Sequence, residues 1–153
     1  MTKRFTATTN NVLRLFVTLG PIGYLPFAPG TYGSAFACIL LYFFPSVFAH
    51  PLFVAALVVA ALVALNSLTL ESNDPGYIVI DEVAGMLVAM AGQSISFLSL
   101  LAGFLLFRFF DIVKPYPIRR VEVFRKGYGI LADDIIAGIF VNLLLIVGRR
   151  VLP

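Results

Sequence analysis

Long apolar stretches are the feature that most restricts how this chain can fold. Residues 52–70, LFVAALVVAALVALNSLTL, carry no charged side chain and approach the ~20 residues that a helix needs to cross a bilayer. Hydrophobic residues make up 60% of the chain and charged residues 12%, against about 45–50% and about 25% in soluble domains. A soluble domain of this length could not bury so much apolar surface. We therefore predict an all-α integral membrane protein.

The remaining apolar stretches, 34–49, 83–107 and 135–147, complete a small helical bundle. We expect about four to five transmembrane or half-membrane helices in residues 34–153. Residues 1–33 are interrupted by an arginine, a glycine and two prolines (Arg14, Gly20, Pro21 and Pro26). This pattern favours an interfacial or re-entrant N-terminal segment over a signal peptide. The whole chain, 1–153, is predicted to be a single membrane-embedded domain.

The topology depends on stretch 83–107, which contains the polar sequence AGQSIS at 91–96. Of the 11 basic residues, six lie in 108–126 and three lie near the N-terminus, so both regions are expected on the cytoplasmic side. A helical hairpin turning near 92–96 places all acidic residues on that same side. A single span would separate the acidic residues by a bilayer, and the hairpin is therefore favoured. Arg149 and Arg150 fit this topology poorly.

Two pairs of adjacent carboxylates precede apolar helices, Asp81-Glu82 and Asp133-Asp134. A simple interpretation is that acidic residues stabilise the first turn of a helix. However, each pair is followed by an alanine–glycine step, and Gly85 and Gly138 share a helix face with a carboxylate four residues earlier. Two helices could approach closely there. Clustered carboxylates repel each other unless a cation lies among them, and these four acids predict a Mg²⁺ site.

Cationic and hydroxyl side chains occur in two further segments. Arg108, Asp111 and Lys114 are spaced three apart and would line one side of a helix end. Glycine, Thr31 and Ser34 in APGTYGSAF, residues 28–36, could begin a helix that binds an anion through its N–H groups. A local ion pair and a helix-capping turn are the simpler alternatives. Together with a metal, these residues favour phosphoryl chemistry on a phosphorylated lipid.

Several classes of function are excluded or disfavoured by the residues that are missing. No lysine- or arginine-rich block of the nucleic-acid-binding kind is present, so no nucleic-acid partner is expected. The only histidine, His50, is predicted on the opposite side of the membrane, which disfavours a phosphohistidine. The only cysteine, Cys38, lacks the arginine of a cysteine-phosphatase loop. Activated water or direct attack by an acidic residue remain possible.

Four segments, in order and spacing, resemble the motifs of the phosphatidylglycerophosphatase A family. They are PGTYGS at 29–34, YIVIDEVAG at 77–85, FRFFDIVKPYPI at 107–118 and DDIIAG at 133–138, and the resemblance runs from about residue 20 to residue 148. It implies a multi-pass, Mg²⁺-dependent phosphatase of the bacterial inner membrane with a site facing the cytoplasm. This enzyme would convert phosphatidylglycerophosphate to phosphatidylglycerol.

The resemblance also implies roles for individual residues. The metal and catalytic residues would be Asp81, Glu82, Asp133 and Asp134, with Asp111 as a further catalytic acid. The residues that contact the substrate phosphate would be Thr31, Ser34, Arg108 and Lys114. Asp74 is a weaker candidate, and the oligomeric state is not predicted.

Two alternative functions use the same carboxylates. A CDP-alcohol phosphotransferase also has membrane-surface acids and a metal, but it needs a longer run of spaced aspartates and glycines than DDIIAG provides. A cation transporter could use the acids as ion ligands, although transporter sites lie near the bilayer midplane. Here the acids flank the apolar stretches.

Overall fold

The computed structural model describes residues 2–68, 75–116 and 127–151. These residues form seven α-helices and no strand, which confirms the all-α prediction. The elements, in chain order, are α1 Thr2–Thr18, a 3₁₀ helix Ile22–Tyr24, α2 Pro29–Phe43, α3 Pro45–Phe48, α4 Pro51–Ser67, α5 Ile80–Met90, α6 Phe97–Val113 and α7 Gly127–Val151. The weaker candidate Asp74 and the basic residues at 119–126 lie outside the described ranges.

Helix α5 is the centre of the bundle. It contacts α1, α2, α4, α6 and α7, and nine of its 11 residues are buried. Small residues such as Ala84, Gly85 and Ala89 allow this, because a helix packed on every side needs side chains that let several backbones approach. The core lies on two sides of α5, around Met86 and Phe107 and around Leu65 and Ile80.

Helices α5 and α7 cross at the two glycines that the sequence placed below the acidic pairs. A Cβ atom on Gly85 would lie 2.7 Å from the carbonyl oxygen of Asp134 and 2.7 Å from the ring of Phe107. A Cβ atom on Gly138 would collide with the carbonyl oxygen of Gly85. The predicted close approach is therefore confirmed, and it brings the two acidic segments together.

Stretch 83–107 forms two helices rather than one, as predicted. Helix α5 ends at Met90, and α6 begins at Phe97. Gly92 adopts a φ of +69° in the turn, where glycine has no steric cost. The Ser96 and Ser99 side chains form a reciprocal capping box at the start of α6, which satisfies N–H groups that a helix start leaves unpaired.

The C-terminal end of α5 is capped by the side chain of Asn142 of α7. Its Nδ2 donates to the carbonyl oxygens of Val88, Ala89 and Ala91, at 3.1, 3.0 and 2.9 Å. The last carbonyl groups of a helix have no partner within the helix. One amide therefore caps the last carbonyl groups of the short helix, which ends inside the bundle.

Three boundaries differ from the sequence prediction. Helix α2 begins at Pro29 rather than near residue 34, because proline is well suited to the first position of a helix. The apolar stretch 34–49 is divided at Pro45, which begins the short α3. Helix α7 begins at Gly127, so Asp133 and Asp134 lie inside that helix rather than in its first turn.

Among the described residues, one helix is long and apolar enough to cross a membrane, Tyr128–Val151. Helix α4, Pro51–Ser67, is apolar but shorter. Length and composition alone therefore identify one candidate span.

The packing at Gly138 can be tested against a second glycine of α7. Gly138→Ala should destabilise the protein by about 1–3 kcal/mol, because the added methyl overlaps the Gly85 backbone. Gly148→Ala is the control, since no atom lies within 4 Å of its Cβ position, and it should be neutral or stabilising by up to about 1 kcal/mol. Thermal unfolding of detergent-solubilised protein measures both. Equal stability of the two variants would contradict the close crossing.

Candidate active site

Three carboxylates meet where α5 crosses α7. Asp81 and Glu82 lie in the first turn of α5, and Asp134 lies in α7. One oxygen of each lies within 4.8 Å of the others. The α5–α7 crossing at Gly85 and Gly138 holds the two helix backbones at the distance that allows this cluster.

The cluster is largely shielded from solvent. Asp81 is 7% exposed and Asp134 is 3% exposed. Glu82 Oε2 is buried, and no hydrogen-bond partner for it is found among the described residues. A buried carboxylate oxygen without a partner carries a large desolvation cost. An added ligand would relieve this cost.

The electrostatics of Glu82 reflect its burial and its charged neighbours. Glu82 precedes the apolar stretch 83–107, and burial raises its pKa above the ordinary glutamate value. A hydrogen bond with Asp81 and the charge of Arg108 lower the pKa, whereas the negative charge of Asp111 raises it. The donors are all carboxylate oxygens, the ligands that Mg²⁺ prefers. The residues present therefore fit a hard divalent cation.

Glu82 also contacts the start of α2. Its Oε1 lies where a Cβ atom of Gly30 would be, and its Cβ lies 3.7 Å from the Cβ position of Gly33. A helix N-terminus favours negative charge. An anion site or a simple helix-capping turn was predicted here, and neither prediction included contact with the protein's own carboxylate. The glycines at positions 30 and 33 were the sequence feature that could have indicated this close contact with another helix.

Asp133, the fourth predicted metal ligand, lies beside the cluster rather than in it. Its Oδ2 is 2.6 Å from Lys114 Nζ, and its Oδ1 accepts a hydrogen bond from the Asp134 backbone N–H at 3.0 Å. Lys114 ends α6 in the left-handed conformation, with φ 44° and ψ 59°. This backbone conformation ends the helix next to α7, where the amine reaches Asp133.

Arg108, the other basic residue predicted to contact the substrate phosphate, pairs with Asp111 one turn later on α6. Arg108 Nη1 lies 2.6 Å from Asp111 Oδ2 and makes a long 3.5 Å contact with Ser34 Oγ. The Ser34 hydroxyl itself donates to the Gly30 carbonyl oxygen at 2.9 Å. Arg108 Nε is buried, and the described part of the chain gives it no hydrogen-bond partner. Thr31 is half-buried on the same turn of α2.

Helices α2, α5, α6 and α7 thus bring together a carboxylate cluster and two ion-paired cations. Three carboxylates can hold a divalent cation, and Arg108 and Lys114 can contact a phosphate oxygen. A model of the phosphatidylglycerophosphatase A family matches residues 15–149. The chain belongs to this family. It is therefore a phosphatase, that is, a phosphoric monoester hydrolase.

Individual relatives agree with the family match. A phosphatidylglycerophosphatase A of Haemophilus influenzae is 35% identical over 149 residues, covering 87% of this chain and 91% of the relative. The Escherichia coli K12 phosphatidylglycerophosphatase A is 33% identical over 123 residues, covering 76% and 72%. A Bacteroides thetaiotaomicron protein named "Putative phosphatidylinositol-3-phosphatase" is 39% identical over 141 residues, covering 85% and 89%. No solved structure matches the chain.

The carboxylate cluster can be tested without measuring activity. Mg²⁺ should raise the unfolding temperature of the wild type, because a ligand that binds the folded state stabilises it. Asp134→Asn should weaken Mg²⁺ affinity by about 10- to 100-fold or more and so remove the increase at moderate Mg²⁺ concentrations. In chelator, this variant should unfold no lower than the wild type, since one repelling charge has been removed. An unchanged Mg²⁺ response would contradict the site.

Proposed function

We propose that this family member is a Mg²⁺-dependent phosphatase that converts phosphatidylglycerophosphate to phosphatidylglycerol at the cytoplasmic surface of the bacterial inner membrane. The observation that carries the proposal is the cluster of Asp81, Glu82 and Asp134 beside the Lys114–Asp133 and Arg108–Asp111 pairs. The names of the relatives from H. influenzae and E. coli support the glycerophosphate headgroup.

The metal-binding role is assigned to the three clustered carboxylates, Asp81, Glu82 and Asp134. Bound there, Mg²⁺ would supply positive charge to the phosphate oxygens and increase the acidity of a water molecule. Asp133 was expected as a fourth ligand, but its 2.6 Å ion pair favours a different role. It would hold the Lys114 amine at the edge of the cluster.

The substrate phosphate is assigned to the space between Arg108 and Lys114. Asp111 pairs with Nη1 of Arg108 and leaves Nε available to donate to a phosphate oxygen. Charge-assisted hydrogen bonds of this kind are short and strong. Ser34 and Thr31 lie on the adjoining turn of α2 and are assigned to the same phosphate. Hydrolysis would then break the phosphorus–oxygen ester bond, with the lipid hydroxyl leaving and water supplying the new oxygen.

The exterior of the bundle supports placement in a bilayer. Large apolar side chains are exposed along several helices, which is typical of a membrane-facing surface. Examples are Tyr42 and Phe43 on α2, Leu52 and Val59 on α4, Leu105 and Ile112 on α6, and Leu143 and Val147 on α7.

The two ends of the bundle differ chemically. The site lies at the start of α2, and Tyr24 and the fully exposed Phe27 lie just before it, as aromatic residues do at a membrane interface. His50 lies beyond the end of α2, which is about 22 Å long. These features support an interfacial active site facing the side on which Lys114 and Tyr116 lie.

Phosphatidylinositol 3-phosphate is a second candidate substrate. The B. thetaiotaomicron relative carries a name that refers to this lipid and is 39% identical to the chain. Both lipids present a phosphate monoester at a membrane surface, so the same cluster could serve either.

Phosphate release from the two lipids tests the proposed activity. Purified protein should hydrolyse phosphatidylglycerophosphate with Mg²⁺ and not with chelator, and it should be less active on phosphatidylinositol 3-phosphate. Asp81→Asn should lower kcat by about 10²–10³-fold through loss of charge stabilisation. Ser67→Ala is the control, because Ser67 is exposed on α4 and its hydroxyl donates to the Val63 carbonyl oxygen of the same helix. Chelator-resistant turnover would refute metal dependence, and faster turnover of the inositol lipid would reverse the substrate assignment.

Cysteine labelling tests the orientation. In a Cys38→Ser background, Tyr116→Cys should react with an impermeant maleimide in inside-out vesicles, and His50→Cys should react in right-side-out vesicles. Tyr116 is 73% exposed near the site. This orientation puts Arg149 and Arg150, which line a cavity with Gln93 at the far end, on the periplasmic side against the usual charge rule. The reverse labelling pattern would refute the cytoplasmic site.

A further inference from the structure

An apolar groove runs between α2 and α6 on the outside of the bundle. Its cavity volume is about 500 Å³. The walls are formed by Ala35, Cys38 and Tyr42 of α2 and by Phe97, Leu101 and Phe104 of α6. Tyr42, Phe97 and Leu101 are 57%, 74% and 42% exposed. The groove is therefore open to the surroundings along its length.

One end of this groove is formed by residues next to those assigned to the phosphate. Ala35 directly follows Ser34, and Phe104 lies one helical turn before Arg108. Ser34 and Arg108 are the residues that contact each other across α2 and α6. At the other end, Tyr42 and Phe97 line the same groove. The two helices are therefore antiparallel, and the groove leads from the phosphate position towards the opposite end of the bundle.

The length of the groove fits a hydrocarbon chain. From Ala35 to Tyr42, helix α2 rises about 10 Å. The side chains named above carry no charge, and Tyr42 lies at the end away from Arg108. A ligand that fills the groove must therefore be largely apolar, and Arg108 lies one helical turn from the end of the groove at Phe104.

We propose that the α2–α6 groove binds one acyl chain of the lipid substrate while its phosphate lies at Arg108 and Ser34. This rests on the proposed function in taking the substrate to be a lipid phosphate monoester. The groove would then contribute to substrate affinity and to selection by chain length. A short-chain analogue with the same headgroup would lose this contact.

Kinetics with long-chain and short-chain substrates test the groove. Cys38→Leu adds bulk midway along it, away from the carboxylate cluster, and should raise KM for the long-chain lipid about tenfold. Its kcat, and the KM for the short-chain analogue, should stay near wild-type values. Ala56→Leu is the control, because it adds more apolar bulk at an exposed position of α4 outside the groove. Equal loss with both substrates would overturn the proposal.

A binding experiment separates the groove from the proposed activity. The chain has no tryptophan, so Phe104→Trp introduces a single fluorophore in the groove, and Phe109→Trp introduces one on the exposed face of α6. A lipid phosphate monoester with brominated tails, added at low mole fraction to detergent micelles, should quench Phe104→Trp saturably. It should quench Phe109→Trp only weakly and in proportion to its concentration.

Each quenching result leads to a different conclusion about the groove and the proposed activity. Similar, non-saturating quenching at both positions would show that lipid contacts the groove without binding specifically, and the proposal would fail. Equal quenching by a brominated diacylglycerol without phosphate would likewise refute a link to the phosphate position. Saturable quenching without hydrolysis of the lipid would support the groove and refute the proposed function instead.

Discussion

The close contact of α5 with α7 is the constraint on which the site depends. Glycine at 85 and 138 brings the two backbones together, and this sets Asp134 opposite Asp81 and Glu82. Carboxylates at such distances repel one another when they are ionised and shielded from water. Packing in the bundle has to offset that repulsion when no cation is bound. Core packing and site geometry therefore depend on each other in this protein, because a change that separates α5 from α7 also moves Asp134 away from Asp81 and Glu82.

The charged residues around the cluster occur in two arrangements. Asp81, Glu82 and Asp134 lie together at the α5–α7 crossing, whereas Asp111 and Asp133 each pair with a cation at 2.6 Å. These pairs keep Arg108 and Lys114 next to the carboxylate cluster. A site with this separation can bind a cation and an anion side by side. This is what a phosphate monoester hydrolase requires.

Local spacing predicted much of this arrangement, and long-range contacts explain what it missed. The four-residue separation between carboxylate and glycine was sufficient to predict the crossing at Gly85 and Gly138. The polar stretch 91–96 predicted the break between α5 and α6. In contrast, the Asp133–Lys114 pair and the three hydrogen bonds of Asn142 join residues far apart in sequence. Periodicity carries no information about such partners, so the sequence could not show that Asp133 pairs with Lys114.

Lys114 adopts a strained backbone conformation next to the site. The left-handed conformation at the end of α6 is one that glycine adopts without strain and that lysine adopts at a cost of about 1–2 kcal/mol. A glycine there would give a more stable helix end, but it would have no amine to pair with Asp133. The chain thus carries stored conformational energy at this single backbone position. Replacing the lysine with glycine would relieve this backbone strain but leave the shielded Asp133 carboxylate without its ion-pair partner, so backbone strain and ion pairing oppose each other at this position.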